Sequence, residues 1–186
     1  MSRVVIASVV GVLAFLAPAR SNAQANPVRV SPTAPLDSQY IADLSDLHEK
    51  VVALAGAIPA DKYTWRPSSK VRTVSELLMH VAGEWRFLCP LSLGIQPPAE
   101  QKTGEAMQAL ERITAKPAVL EQLASAWEVC RASLLTIDAR RLVPDSLPAK
   151  MGFARVVLRI SGDQHEHLGQ LIAYARSVDV TPPWSK

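Results

Sequence analysis

The sequence predicts an all-α protein built as an antiparallel four-helix bundle. Three observations lead there. Apolar residues recur every three or four positions through four long segments, the spacing that places them on one face of a helix. Prolines gather between those segments rather than inside them. No convincing pair of segments alternates apolar and polar residues as strands do, and no internal repeat or low-complexity tract is present. Helices with a single apolar stripe bury it by packing side by side, which is the bundle solution.

Ahead of the first helix the chain reads MSRVVIASVVGVLAFLAPARSNAQANPV. Arg3 supplies a short positive start, Val4 to Leu16 is an uncharged apolar run, and small residues surround Ser21 to Ala25. This is the pattern of a secretory signal peptide over residues 1–25, with an uncleaved anchor as the alternative. The run is short for a membrane span. The protein is therefore expected to be exported, periplasmic or secreted, with no stable membrane insertion after cleavage. Residues 26–35, NPVRVSPTAP, lack periodicity and read as a linker.

The domain then covers residues 36–186. In the first helix Ile41, Leu44, Leu47, Val51, Leu54 and Ile58 form the stripe, and Pro59 closes it. A loop follows in which Tyr63 and Trp65 are expected to tuck against the bundle end. The second helix starts at Thr73-Val-Ser-Glu76, a capping-box signature in which hydroxyl and carboxylate satisfy free backbone donors reciprocally. Val74, Leu77, Leu78, Val81, Trp85 and Leu88 make its stripe, and Pro90 kinks or ends it. A weaker helical piece covers EAMQALERI. Pro117 sits where a helix start favours proline, ahead of Leu120, Leu123, Trp127, Cys130, Leu134 and Ile137. The last helix runs from Phe153 to Val178, with Phe153, Val156, Val157, Ile160, His167, Leu171, Tyr174 and Val178 on its stripe.

Charge and cysteine content narrow the partners. Loss of Arg3 and Arg20 with the signal segment lowers the formal charge from +3 to +1. A nearly neutral domain without a basic run offers little to nucleic acid or to an anionic membrane, and both are excluded as partners. Cys89 and Cys130 are far apart and form no C-x-x-C, which removes zinc-ribbon and thioredoxin-type motifs. They form either one inter-helix disulfide or two separate buried thiols.

The last helix carries unexpected polarity in its middle, Gly162-Asp-Gln-His-Glu-His167. At about 100° per residue, Gln164 and His167 fall within about 40° of the apolar stripe, Asp163 lies on its flank, and His165 points to the opposite side. Asp163 and His167 stand at i and i+4, the spacing by which one helix gives a metal two ligands. Few third ligands are available. His80 lies beside the stripe of the second helix, with Glu84 one turn beyond it. His80, Asp163 and His167 would make a two-histidine, one-carboxylate set suited to zinc, nickel, iron or manganese. The alternative is that Asp163 and His167 simply hydrogen-bond each other, since a buried carboxylate needs a partner of some kind.

At these residues the chain resembles the DinB-like superfamily. The resemblance rests on LAGAIPADKYTWRPSSKVRTVSELLMHVAGEW and on DQHEHLGQLIAYARSVDVTPPWS, and it runs from about Leu36 to the C-terminus. It implies a four-helix bundle with a three-residue metal site, usually three histidines: one on the second helix and two at i and i+4 on the last, the later just before a Gly-Gln pair. Those positions fall on His80, on His167 ahead of Leu168-Gly169-Gln170, and on Asp163, where the usual histidine is absent. His165 is the second choice for that place. The resemblance also implies pairing into a homodimer through helix faces.

Three functions follow as expectations. The first is a metal-dependent enzyme acting on a small-molecule substrate. It is either a thiol-dependent transferase, which export disfavours, or a hydrolase of small esters or amides with Glu84 as general base. The second is a non-catalytic bundle that binds metal or a small ligand. The third is a structural bundle whose site has decayed. There is no G-x-G-x-x-G, P-loop or G-x-S-x-G motif to support nucleotide binding or a serine nucleophile.

Overall fold

The computed structural model describes residues 36–96, 103–136 and 153–185, and the side chains of residues 36–37 and 153–157 are not described. The proposed signal segment and linker lie outside these residues, as do Ile137 and the side chains of Phe153, Val156 and Val157 expected on the helix stripes. Among the described residues the protein is all-helical, without strands. None of the described helices is long and apolar enough to cross a membrane.

Helix α1 spans Leu36–Ala57. Leu44, Leu47, Val51 and Leu54 bury its inner face, and Ile58 and Pro59 bring it to an end. Its last carbonyls are not left bare: Lys116 Nζ donates to Gly56 O and Ile58 O, each at 2.7 Å. Tyr63 is buried and donates its hydroxyl to Ala55 O at 2.8 Å, so the loop after α1 folds back on the helix it leaves.

Helix α2 spans Val74–Gly83. The capping box is present as expected: Glu76 N donates to Thr73 Oγ1 at 3.1 Å, and Thr73 N donates to Glu76 Oε2 at 2.8 Å. Beyond Gly83 the helix widens into a π turn over Glu84–Leu88, with the Cys89 amide donating to Glu84 O, and then resumes as the short α3, Cys89–Ser92. Pro90 supplies the reason. Its ring collides with the carbonyl four residues back and it has no amide to donate, so the preceding turn must loosen.

Helix α4 spans Thr103–Leu110 and packs on α2, where a Cβ on Gly83 would stand only 3.2 Å from Met107. The absent side chain at Gly83 is what allows this approach. Helix α5 spans Lys116–Leu134 with Pro117 in its first turn, and α6 spans Phe153–Ser177. Helix α1 packs on α5 and α6, and α2 packs on α5, α4 and α6. Leu54, Leu77, Leu78, Met79, Leu123, Leu134 and Leu171 fill the shared interior, each about 2 kcal/mol of apolar burial. A disulfide joins Cys89 to Cys130, tying α3 to α5 with 5.5 Å between Cα atoms.

Candidate metal centre

Two helices deliver the polar residues of the site. His80 on α2 and Glu84, which opens the π turn continuing that helix, stand at i and i+4, so their side chains stack on one face. Wide turns of this kind inside α-helices recur at functional sites. On α6, Gln164 and His167 stand one turn apart and face α2.

The side chains meet. His80 Nε2 lies 3.3 Å from Glu84 Oε1, and His167 Nε2 lies 3.2 Å from Glu84 Oε2 and 3.3 Å from Oε1. One ligand atom from each of His80, Glu84 and His167 lies within 4.8 Å of the other two. Their side chains are only 13–18% exposed, which takes the carboxylate largely out of water. Burial pushes the Glu84 carboxyl up, but hydrogen bonds and charge from His167 and His80 outweigh it and hold the group at about 2. Glu84 is therefore an anion at any ordinary pH.

Further residues fix how these groups point. Gln164 is 3% exposed and donates its Nε2 to Glu84 Oε2 at 2.7 Å. His80 Nδ1 stands 3.2 Å from Glu111 Oε1, which also accepts from Arg72 Nε at 3.3 Å. Glu111 follows α4, so the packing of Met107 on Gly83 carries this carboxylate to the histidine. When a cation takes the place of the Nε2 proton, a carboxylate at Nδ1 keeps the proton there and leaves the Nε2 lone pair to ligate. His80 Nε2 then faces an anionic carboxylate and a second imidazole. That arrangement leaves a place for a cation between them.

The donor set fits a divalent metal. Two imidazoles and one carboxylate suit zinc, nickel, iron or manganese. With metal–ligand bonds of about 2.0–2.1 Å and tetrahedral angles, neighbouring ligand atoms stand about 3.3 Å apart. The His80–Glu84 and His167–Glu84 separations match that edge. His80, Glu84 and His167 form a cluster that can hold a metal ion.

The other candidates lie elsewhere. Spacing puts Asp163 in the ligand set; in the structure Asp163 is 43% exposed, 3.6 Å from Arg159 Nε, and outside the cluster. The hydrolase expectation gives Glu84 the part of general base; the structure places it between the two histidines. His165 is 52% exposed and lies 3.9 Å from Asp43, on the solvent side the helical wheel assigns it. Sequence reasoning passed over Glu111 and Gln164. Gln164 had a signal, since the wheel sets it within the apolar stripe, whereas nothing local links Glu111 to His80.

A cleft of about 340 Å³ adjoins the cluster and shares Glu84 with it. Trp85, Leu88 and Ile160 give it apolar walls, and Arg159, Asp163 and Gln164 line its α6 side. Comparison with known proteins returns two results. No curated protein matches the chain. The family model for the DinB superfamily matches residues 43–171, from α1 through the cluster to the inner face of α6. The chain belongs to the DinB superfamily.

Proposed function

We propose that this protein binds one divalent cation at His80, Glu84 and His167 and uses it to hydrolyse a small ester or amide seated in the adjoining cleft. The observation that carries the reading is the convergence of two imidazoles and an ionised carboxylate, at coordination-edge distances, on the wall of an apolar cleft. A divalent cation there supplies Lewis acidity toward a carbonyl oxygen. The chain's own residues do the rest. Trp85, Leu88 and Ile160 take the apolar part of the substrate. Glu111 holds the His80 tautomer. With Glu84 in the ligand set, the carboxylate free to accept a proton from the attacking water is Asp163, which lines the same cleft.

Support for the wider reading comes from several places. The contacts of α1 with α5 and α6, and of α2 with the same two helices, suit an antiparallel four-helix arrangement of α1, α2, α5 and α6. The apolar N-terminal run and the Cys89–Cys130 disulfide both favour export to an oxidising compartment. Pairing into a homodimer is part of the same reading, on the strength of the family.

Metal content measured by mass spectrometry on protein purified without a histidine tag tests the site, beside a His80→Ala, His167→Ala double variant. About one zinc, nickel, iron or manganese per chain is expected, lost in the variant. Absence of metal from the wild type, even after incubation with each ion, would sink the proposal. Metal without turnover of any aryl ester or anilide would leave a binding protein rather than a hydrolase.

A further inference from the structure

Gln164 is the least explained group near the cluster. It is 3% exposed, and its Oε1 is buried with no hydrogen-bond partner among the described residues. A buried acceptor left unpaired costs about 1–3 kcal/mol. The orientation of its amide follows from the neighbour: an ionised carboxylate only accepts, so the nitrogen must face Glu84 Oε2 and the oxygen must face away.

We propose that Gln164 is a fourth protein ligand to the metal, its amide turning over so that Oε1 joins His80, Glu84 and His167 in the coordination sphere. This rests on the metal reading given above. A half-turn about the terminal side-chain bond exchanges amide nitrogen and oxygen, which are nearly the same size. The oxygen would then take a place 2.7 Å from Glu84 Oε2. Neighbouring ligand atoms around a divalent metal stand about 2.9–3.3 Å apart, so a shift of a few tenths of an ångström completes the fit. Without a cation, two oxygens so close would repel; with one, each is attracted to the charge between them.

The spacing supports the same assignment. Gln164 and His167 stand at i and i+3, the separation by which bundle helices in carboxylate-bridged metal proteins deliver an oxygen and an imidazole together. His80 and Glu84 at i and i+4 provide the matching pair from α2. Asp163, one residue earlier, is instead turned toward Arg159. The chain thus offers an imidazole and an oxygen from each of two facing helices.

A crystal structure of the zinc-loaded protein, with calorimetric zinc titration of wild type, Gln164→Leu and Gln164→Glu, tests this. The expected result is Oε1 of Gln164 at about 2.0–2.2 Å from the metal. Gln164→Leu is expected to weaken zinc binding about tenfold or more, and Gln164→Glu, which presents oxygen in either orientation, to retain it. Zinc held by His80, Glu84 and His167 with Gln164 still donating to Glu84 would overturn this inference and leave the metal site intact. Wild-type protein that takes up no zinc, nickel or manganese would overturn the underlying reading instead. The wild-type structure decides the question even if the leucine variant does not fold.

Discussion

Replacing both Cys89 and Cys130 by alanine should cost this protein a large part of its stability. The crosslink spans 41 residues of sequence, from the start of α3 across α4 to the last third of α5. Closing a loop of that length in the unfolded chain removes about 13 cal/mol/K of chain entropy on the loop-closure model, or about 4 kcal/mol at 25 °C. Cys89 and Cys130 are also buried among apolar neighbours, so truncation to alanine adds a little lost packing. We expect a loss of about 3–5 kcal/mol. Urea unfolding followed by tryptophan fluorescence reads it well, because Trp85 and Trp127 lie one helical turn before the two cysteines and 5.7 Å from each other. Reduction of the wild type should reproduce most of the loss. A double variant within about 1 kcal/mol of the wild type would refute the reasoning, since the crosslink would then restrict nothing the unfolded chain samples.

Two further outcomes are expected. His48 is stacked on Trp127 at 4.7 Å and set edge-on to Trp85 at 4.9 Å, with Nδ1 buried and unpartnered among the described residues. Burial lowers it to about 4, against a smaller upward pull from Glu128. The folded protein thus binds this proton less readily than the unfolded chain, so stability is full above pH 6.5 and falls as pH drops toward 4. Partial exposure reduces the ideal value to about 2 kcal/mol between pH 7.5 and 4.5. A His48→Gln variant, measured by urea unfolding across that range, should lack this component; identical pH profiles would contradict it. Lys116→Met, which removes two charge-assisted hydrogen bonds from the end of α1, should cost about 1–2 kcal/mol by thermal unfolding. An unchanged midpoint would show that water replaces the ammonium there.

Much of the fold was legible in the residues. The capping box at Thr73 and Glu76, Pro117 at the start of α5 and most of the stripes of α1 and α5 follow from local chemistry and are present; Ile41 and Leu120 are half-buried, and Ile137 lies outside the described residues. The wheel of α6 placed Gln164 inside and His165 outside, as found. The site was only half legible. A wheel gives the direction of a side chain on its own helix but not the rotation of the helix opposite, and that rotation decides whether Asp163 or Glu84 meets the histidines. Glu111 reaches His80 because α4 docks at Gly83, a contact between segments that no spacing rule connects. The choice between a disulfide and two thiols likewise depended on how α3 and α5 face each other.

The π turn at Glu84–Leu88 has a consequence for how the two halves of the site's helix are matched. A wide turn inside a helix acts as one residue inserted into its register, offsetting everything beyond it by about 100°. On the near side, His80 and Glu84 keep ordinary helical spacing and face α6. On the far side, Cys89 faces α5 and bonds to Cys130. In an uninterrupted helix those two directions would no longer coincide with their partners. Forcing the full-length segment into a regular helix would let it satisfy the His80–Glu84–His167 cluster or the crosslink and not both, whereas deleting one residue between Trp85 and Leu88 should restore a regular helix with both directions kept. The irregular turn is the joint that lets one continuous helix serve two neighbours.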